Sequence, residues 1–422
     1  MFNLNKKKIG ITVFVSLLLF YSLGTGFPFF YRFLFATIIL LLIGFVWAWL
    51  NLRGLEVNID RRTTRGQVGD YLDGHIQVIN RNRIPKSWLE VKEVTDLPGH
   101  TSGRGIALVR DQRRNWRTQT YLSKRGIYTS RQIEVTSQDP FGLFKMSRRF
   151  LNNQSYVVFP NTEPLTDLDP QLAHLPSDTR YIRTANHITP DSSSVREYVQ
   201  GDSFRAIHWP YTARMNQLMV KQFDIGISAD TWILLDMFQE SHDLTDPIDN
   251  TEEMAIKIAA SLIQRTTELG ISTGLASKAE RDYFLKPDTS PDYLPRLMES
   301  LAGMKATGKT TLEELIYDIR PQINQFNTLN IITASTYPEW IPALRSFKRE
   351  GINTSVIYVN PVTFGSTESI QSILNLLYLN DIRTYLVGKA ETLNEALRRP
   401  LDIRRGAKHD LPTMSTLGNP SV

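Results

Sequence analysis

The octapeptide GMKATGKT, which runs from Gly303 to Thr310, has residue types and spacing that suggest phosphate chemistry. Gly303, Gly308 and Lys309 match the letters of a P-loop, a glycine-rich turn whose backbone N–H groups hold phosphate oxygens while the lysine adds positive charge. Such a loop follows a buried strand and opens a helix, because the free N–H groups of the helix bind the anion. The neighbouring elements therefore decide whether this match is functional.

The residues around the octapeptide do not provide that context. The preceding stretch 293–302 (YLPRLMESLA) repeats apolar residues at i, i+3, i+4 and i+7, which predicts an amphipathic helix in place of a strand. The next apolar strand, LNIITAS, ends in Ala334 and Ser335, where a magnesium-binding acid belongs. The strand that does end in an acid, TWILLD with Asp236, comes earlier in the chain. We therefore expect no nucleotide binding by Gly303, Gly308 or Lys309.

A second constellation lies in residues 195–223, VREYVQGDSFRAIHWPYTARMNQLMVKQF. Glycine followed by aspartate predicts a turn and a helix N-cap, with residues 203–209 forming helical turns that end at Pro210. One interpretation is an ion-pair cluster around the tryptophan, which would lock this segment onto the sheet. The other is a docking surface or an active centre around the histidine. The residues involved are Arg196, Glu197, Tyr198, Gly201, Asp202, Arg205, His208, Trp209 and Arg214.

This segment resembles the signature of a bacterial membrane-associated family, domain of unknown function fifty-eight. The matching pattern is Arg-Glu-Tyr, Gly-Asp, Arg, Ile-His-Trp and Ala-Arg in that order. The upstream stretches KRGIY and DPFGLF resemble the β domain of the family, and the apolar N-terminal segment resembles its usual membrane anchor. The resemblance covers nearly the whole chain up to about Pro400. The resemblance implies a von Willebrand A-like α/β fold and a MoxR-type AAA+ ATPase as partner.

Von Willebrand A domains often hold a metal ion, so the resemblance also implies a set of metal positions. Asp236 occupies the first position and Thr310 occupies the loop threonine, but the two serines expected after the aspartate are absent. Ala334 stands at the second aspartate position, with Glu240 nearby as a substitute oxygen donor. Divalent cations prefer about six oxygen ligands. We therefore expect a degenerate site with at most weak divalent-cation binding, and no other cofactor.

The elements that position these residues follow from patterning. Residues 54–160 alternate polar and apolar side chains between turn signals, which predicts an all-β sandwich. From residue 231 onward, apolar strands alternate with helices, which predicts a mostly parallel sheet with helices on both faces. The resemblance implies that residues 195–400 form a von Willebrand A-like, Rossmann-type α/β domain. Residues 161–194 are rich in polar residues and predict a linker or insertion, and 401–422 predict a disordered tail.

The first fifty-three residues have the composition of a membrane anchor. Two apolar runs, Ile9–Leu23 and Phe33–Leu50, flank the turn-forming stretch GTGFPFFYR, which predicts a transmembrane helical hairpin. Basic residues cluster outside the pair, so we expect both termini and the domains that follow to be cytoplasmic. The alternative is that residues 6–24 form a cleaved signal peptide.

Composition narrows the function classes. The chain of 422 residues has no cysteine, which excludes disulfides, thiolate metal sites and a cysteine nucleophile. Residues 51–150 contain 19 Lys and Arg against 10 Asp and Glu, and this basic surface favours anionic lipid. No nucleic-acid-binding motif accompanies the charge, so we expect no nucleic-acid partner.

The resulting hypothesis is a membrane-anchored cytoplasmic adaptor or scaffold. It would lack enzymatic activity and act with a MoxR-type AAA+ ATPase in complex assembly or envelope quality control. One alternative is a hydrolase that uses Lys309 or His208. Another is a structural envelope protein that recruits lipid or cell-wall synthesis partners.

Overall fold

The computed structural model describes residues 2–61, 63–173, 194–198, 207–222 and 230–401, with only the backbone described for 2–8, 194–196 and 221–222. The chain divides into two compact units, residues 1–160 and 161–422. Within the first unit, residues 54–160 are called the β domain below, and the second unit is called the α/β domain. The predicted tail after residue 401 lies outside the described residues.

Two helices open the chain, α1 (Phe2–Thr25) and α2 (Pro28–Asn51). Only Gly26 and Phe27 separate them, and Gly26 has a φ of +63°, a conformation that glycine adopts without steric cost. The predicted connecting loop is therefore too long. Its residues from Pro28 onward are helical, because proline suits the first turn of a helix. Helix α2 is long and apolar enough to cross a membrane, whereas the apolar part of α1, Ile9–Thr25, is shorter.

The β domain contains two sheets. Strands β1, β3 and β6 form one sheet in the order β1-β3-β6, and the other five form the second in the order β2-β8-β7-β4-β5. Every pairing is antiparallel except β2 with β8. The strands are β1 (Leu55–Asp60), β2 (Arg65–Gln67), β3 (Tyr71–Asn80), β4 (Lys86–Thr95), β5 (Arg104–Leu108), β6 (Arg113–Tyr121), β7 (Gly126–Gln138) and β8 (Lys145–Phe159).

Both sheets contribute to one hydrophobic core in the β domain. Ile76 and Val78 of β3 and Leu89 and Val91 of β4 are fully buried within it. Successive side chains of a strand point to opposite faces, so the period-two pattern of the sequence places these residues on the same inner side.

The α/β domain is built on a six-stranded sheet in the order β13-β12-β11-β14-β15-β16. Neighbouring strands are parallel except β13, which pairs antiparallel with β12 at the edge. Its elements are β9 (Ser194–Glu197), α3 (Trp209–Met215), β10 (Met219–Gln222), β11 (Thr231–Leu235), α4 (Thr251–Glu268), β12 (Thr273–Lys278), β13 (Asp282–Asp288), α5 (Tyr293–Gly303), α6 (Leu312–Ile319), β14 (Thr328–Thr333), α7 (Ile341–Arg349), β15 (Asn353–Val359), α8 (Gln371–Leu379), β16 (Arg383–Val387) and α9 (Leu393–Ala396).

The strand–helix alternation of this domain agrees with its sequence pattern. Strands β11 and β14 are buried along their whole length, as continuous apolar runs in a parallel sheet are. Parallel strands point the same way, so the carboxyl ends of β11, β12 and β14 meet at one edge of the sheet. Ligand and partner sites of open α/β sheets form at this edge.

The first part of the predicted linker belongs to the α/β domain. Leu165, Leu168 and Leu172 are buried, and the Asn330 side-chain amide donates to the Leu172 carbonyl over 2.8 Å. The apolar leucines among the polar residues explain why this stretch packs. The rest of the linker, residues 174–193, lies outside the described residues.

Candidate functional site

Asp236 directly follows β11 at the carboxyl edge of the sheet and is only 1% exposed. Its Oδ1 accepts a hydrogen bond from the Phe238 backbone N–H at 3.1 Å. Its Oδ2 accepts one from the Thr333 hydroxyl at the end of β14, at 2.7 Å. Both carboxylate oxygens therefore have neutral protein donors, and the side chain joins the ends of two adjacent strands.

The loop after Asp236 is fixed by a buried histidine. The Nε2 of His242 lies 2.8 Å from the Asp236 carbonyl oxygen, and its Nδ1 lies 3.2 Å from the hydroxyl of Thr251, the first residue of α4. A carbonyl can only accept, so Nε2 carries the proton and Nδ1 is left to accept from the threonine. The ring thus ties residues 236–242 to the start of α4.

The octapeptide is held against this loop by backbone contacts. The Gly308 N–H donates to the Met237 carbonyl at 3.0 Å, and the Gly308 carbonyl accepts from the Gln239 N–H at 3.0 Å. A Cβ at position 308 would lie 2.2 Å from the carbonyl oxygen of Lys278, so the close approach of these backbones requires glycine.

The other P-loop letters also have structural positions. The helix predicted before the octapeptide is present as α5, and Gly303 is its last residue. Lys309 is exposed and Thr310 is half-buried in the loop before α6. The hydroxyl of Thr311 caps α6 by accepting from the Glu314 N–H at 3.4 Å.

A cavity of about 260 Å³ opens where the loops after β11 and β14 meet the start of α6. Trp340 is buried in its wall, and Tyr337 stands exposed at its rim. The lining is acidic because it also contains three glutamates, Glu240, Glu313 and Glu339. The arrangement combines aromatic surface with negative charge, and we call it the acidic–aromatic cavity.

The residues at this edge do not fit a bound metal ion. The two oxygens of Asp236 already accept hydrogen bonds from Phe238 and Thr333, and residues 237–239 supply no hydroxyl or carboxylate. Within the part of the chain that the structure describes, no three His, Asp or Glu side chains are grouped as metal ligands. The donor set therefore falls short of the six or so oxygens that a hard divalent cation prefers.

The family signature forms a small structure of its own. Strand β9 pairs antiparallel with β10, and Ile207 bridges to Val220 beside them. The Nδ1 of His208 accepts from the Tyr211 N–H at 3.1 Å and so caps α3. The prediction that Pro210 ends a helix is wrong. Pro210 lies in the first turn of α3, where its missing N–H costs nothing.

The predicted ion-pair cluster is only partly described. Gly201, Asp202 and Arg205 lie outside the described residues, as does the side chain of Arg196. Trp209 is 64% exposed on α3, and Arg214 is exposed on the same helix. Glu197 and Tyr198 continue from β9, and the Tyr198 N–H donates to the Leu218 carbonyl at 2.8 Å.

Sequence reasoning named Asp236, Thr310 and Glu240 as candidate ligands, and of these only Glu240 lines the cavity. Thr333, Tyr337, Glu339 and Trp340 all come from the end of β14 or the loop after it. The available signal was position, because residues that follow a buried parallel strand lie at the ligand-binding edge. From this part of the chain, the sequence pattern singled out only Ala334 and Ser335.

Comparison with solved structures gives weak likenesses. The CARDB domain of the PF1109 protein from Pyrococcus furiosus is 14% identical, covers 25% of this chain and 91% of its own, and has a TM-score of 0.20. Proximal thread matrix protein 1 from the mussel byssus is 11% identical, covers 40% of this chain and 46% of its own, and has a TM-score of 0.30. Both scores are far too low to indicate a shared fold.

Sequence comparison is more informative. The uncharacterized protein YeaD of Bacillus subtilis (strain 168) is 24% identical over 178 residues, which is 42% of this chain and 42% of that relative. The chain thus matches less than half the length of this curated relative. Residues 194–346, which include the signature, Asp236 and every residue that lines the acidic–aromatic cavity, match the family described as protein of unknown function DUF58. Residues 194–346 of this chain therefore form a DUF58 family domain.

Proposed function

We propose that this protein is a membrane-anchored adaptor whose α/β domain binds a protein partner in the acidic–aromatic cavity. The observation that carries the proposal is the cavity itself, at the carboxyl edge of the sheet. Its 260 Å³ lies just under the ~300–1,000 Å³ of typical small-molecule sites. It suits one inserted side chain of a partner.

The lining indicates which side chain that is. Glu240, Glu313 and Glu339 bring negative charge to the opening, and Tyr337 offers an exposed ring face beside them. An arginine matches both features, since its guanidinium binds carboxylates through paired hydrogen bonds and stacks on aromatic rings. Arginine, tyrosine and tryptophan are also the residues that dominate binding energy at protein interfaces.

The fixed loop geometry supports a docking role. His242 ties the loop that carries Glu240 to α4, and Asp236 ties its base to β14. A partner side chain would therefore enter a preformed cavity, which reduces the entropy lost on binding. We assign the partner as a MoxR-type AAA+ ATPase, the partner that the family resemblance implies. We place both domains on the cytoplasmic side, where such ATPases act. The basic residues that flank the anchor favour the same side, because positively charged flanks stay in the cytoplasm.

The test uses the full-length protein in detergent and the purified MoxR-type ATPase from the same organism. Glu240→Lys and Tyr337→Ala should each weaken binding about tenfold or more, the effect of losing an interface hot spot. Glu395→Lys is the matched control, because Glu395 is an exposed glutamate on α9 away from the cavity. Equal affinity of the cavity variants and the control, or no binding by the unaltered protein, would exclude the proposal.

A further inference from the structure

The strongest unassigned feature is the contact between α2 and the β domain, both in the first compact unit. The side chain of Lys86, which is buried in β4, donates from Nζ to the Leu50 carbonyl at the end of α2, at 2.5 Å. Arg148 donates to the Leu52 carbonyl at 3.3 Å. These cations add hydrogen bonds to carbonyls at the end of the helix, where the i+4 backbone donors are missing. The end of α2 is therefore attached directly to the β domain.

The attachment extends back along the helix. The Trp47 indole N–H lies 3.2 Å from the Ser87 hydroxyl, and the rings of Phe45 and Phe144 meet edge to face at 5.8 Å. At Gly44 a Cβ would lie 3.4 Å from the Phe144 ring. Gly44 is seven residues before Asn51, the last residue of α2. At 1.5 Å per residue, the contact reaches about 10 Å back from the helix end.

The segment that makes this contact is the β7–β8 turn, residues 139–144. Asp139 organises it, since its Oδ1 accepts from the Phe144 N–H at 2.6 Å and its Oδ2 from the Phe141 N–H at 3.0 Å. With its own carboxylate satisfied, the turn presents Phe141 outward. Phe141 and Trp88 of β4 are each 56% exposed, which is unusual for side chains of this size.

A surface cavity of about 490 Å³ lies between α2, β4 and the β7–β8 turn, and its walls include Trp47, Trp88 and Phe141. Trp47 is itself a residue of α2, so the cavity is continuous with the surface of the membrane helix. Gln138 and Ser87 add polar groups to the lining. Aromatic rings with neighbouring polar groups are typical of the membrane–water interface.

The length and composition of α2 indicate how deep its last turns lie in a bilayer. Its 24 residues span about 36 Å, more than the ~30 Å hydrocarbon core. Trp47 and Trp49 near its end are residues of the type that anchors a helix at the membrane–water interface, so the last turns of a spanning α2 lie in the headgroup region, and the β7–β8 turn lies beside them. We infer that Phe141, Trp88 and the cavity between them enter the lipid interface and hold phospholipid there. This inference rests on the membrane anchoring in the proposed function.

The test exploits the absence of native cysteine. Phe141→Cys and Trp88→Cys each provide a single labelling site for an environment-sensitive NBD fluorophore. Leu151→Cys is the control, because Leu151 is 85% exposed on β8 of the same domain. All three positions are largely exposed, so the substitutions leave the core unchanged. The full-length proteins are reconstituted into vesicles of equal parts phosphatidylcholine and phosphatidylglycerol.

We expect the label at 141 and at 88 to emit at shorter wavelength than at 151. Lipid carrying a nitroxide near the headgroup should quench them several-fold more strongly, and aqueous iodide several-fold less. Equal iodide quenching at all three sites, in protein that floats with the vesicles, overturns the interfacial site and leaves the anchor intact. A blue shift without nitroxide quenching overturns it in favour of a protein contact. Protein that does not float with the vesicles overturns both the anchor and the interfacial site.

Discussion

Glu93 in the β domain and Asp236 in the α/β domain are both buried carboxylates, but their partners differ. The Oε2 of Glu93 lies 2.6 Å from the Arg61 guanidinium and 3.1 Å from Nε2 of His100, with all three side chains nearly inaccessible to water. The guanidinium also stacks over the Tyr156 ring at 4.5 Å. Asp236 instead binds a hydroxyl and a backbone N–H.

The two arrangements serve different purposes. Burial alone raises the pKa of Glu93, but the His100 hydrogen bond and the Arg61 charge outweigh it and hold that pKa below its ordinary value. This charge is neutralised inside the β domain and is closed to outside partners. At Asp236, neutral donors align two strand ends and a loop, and the charges that face solvent belong to the glutamates around the cavity.

The largest effect should come from removing the cation that partners Glu93. Arg61→Met leaves a buried carboxylate without its guanidinium and should destabilise the β domain by about 3–5 kcal/mol. Hydrogen exchange of the β4 backbone in the full-length protein measures this region directly. Arg117→Met is the control, since the Arg117–Asp73 pair is exposed to solvent and contributes little to stability. Similar losses in both variants would contradict the assigned role of burial.

Acid should reveal the same difference through a smaller effect. A carboxylate with a lowered pKa contributes stability above its ordinary pKa, and this contribution is lost as pH falls through the folded-state value. The β domain should therefore lose stability on acidification below about pH 4.5, the ordinary value for glutamate. Glu93→Gln should flatten this part of the profile. The other ionisable side chains around Glu93 are those of Arg61, His100 and Tyr156.

Thermal unfolding at a series of pH values, followed on the full-length protein, gives both profiles. If Glu93→Gln loses as much stability at acid pH as the unaltered protein does, the loss must come from other carboxylates.

The smallest effect is expected at Asp236. Thr333→Val removes the hydroxyl that donates to the Asp236 carboxylate and accepts from the Ser335 N–H, and should cost about 1.5–3 kcal/mol, together with faster exchange of the β11 and β14 amides near their carboxyl ends. Thr354→Val is the matched control, because Thr354 in β15 bonds only to a nearby backbone carbonyl. If Thr333→Val loses as much stability as Arg61→Met, then Asp236 depends on its hydrogen-bond donor as strongly as Glu93 depends on its cation.

Local patterns predicted much of this molecule, and long-range contacts explain what they missed. The apolar runs of β11 and β14 and the periodicity of α5 were readable because each depends on neighbouring residues. Strand β13 was missed because Lys286, Pro287 and Asp288 disguise an edge strand. The Asp236–Thr333 bond joins residues 97 positions apart, and nothing in a local window indicates it.

The charge cluster of the β domain was equally hidden. Arg61 and Glu93 are 32 positions apart and each belongs to an ordinary polar stretch, so only the fold reveals that they are buried together. The role of His208 was open between catalysis and structure for a similar reason. Whether its ring caps a helix depends on the turn that follows, and Pro210 was interpreted as the end of that helix when it marks the beginning.

The attachment of α2 to the β domain has a mechanical consequence. Only three residues separate Asn51 from β1, and the bonds from Lys86 and Arg148 hold the helix end rigidly. Helix α2 and the β domain should therefore move as one rigid unit. A spanning helix tilts when the bilayer thins or thickens. A change in membrane thickness would change the tilt of α2, and the β domain would change its orientation to the lipid surface by the same angle.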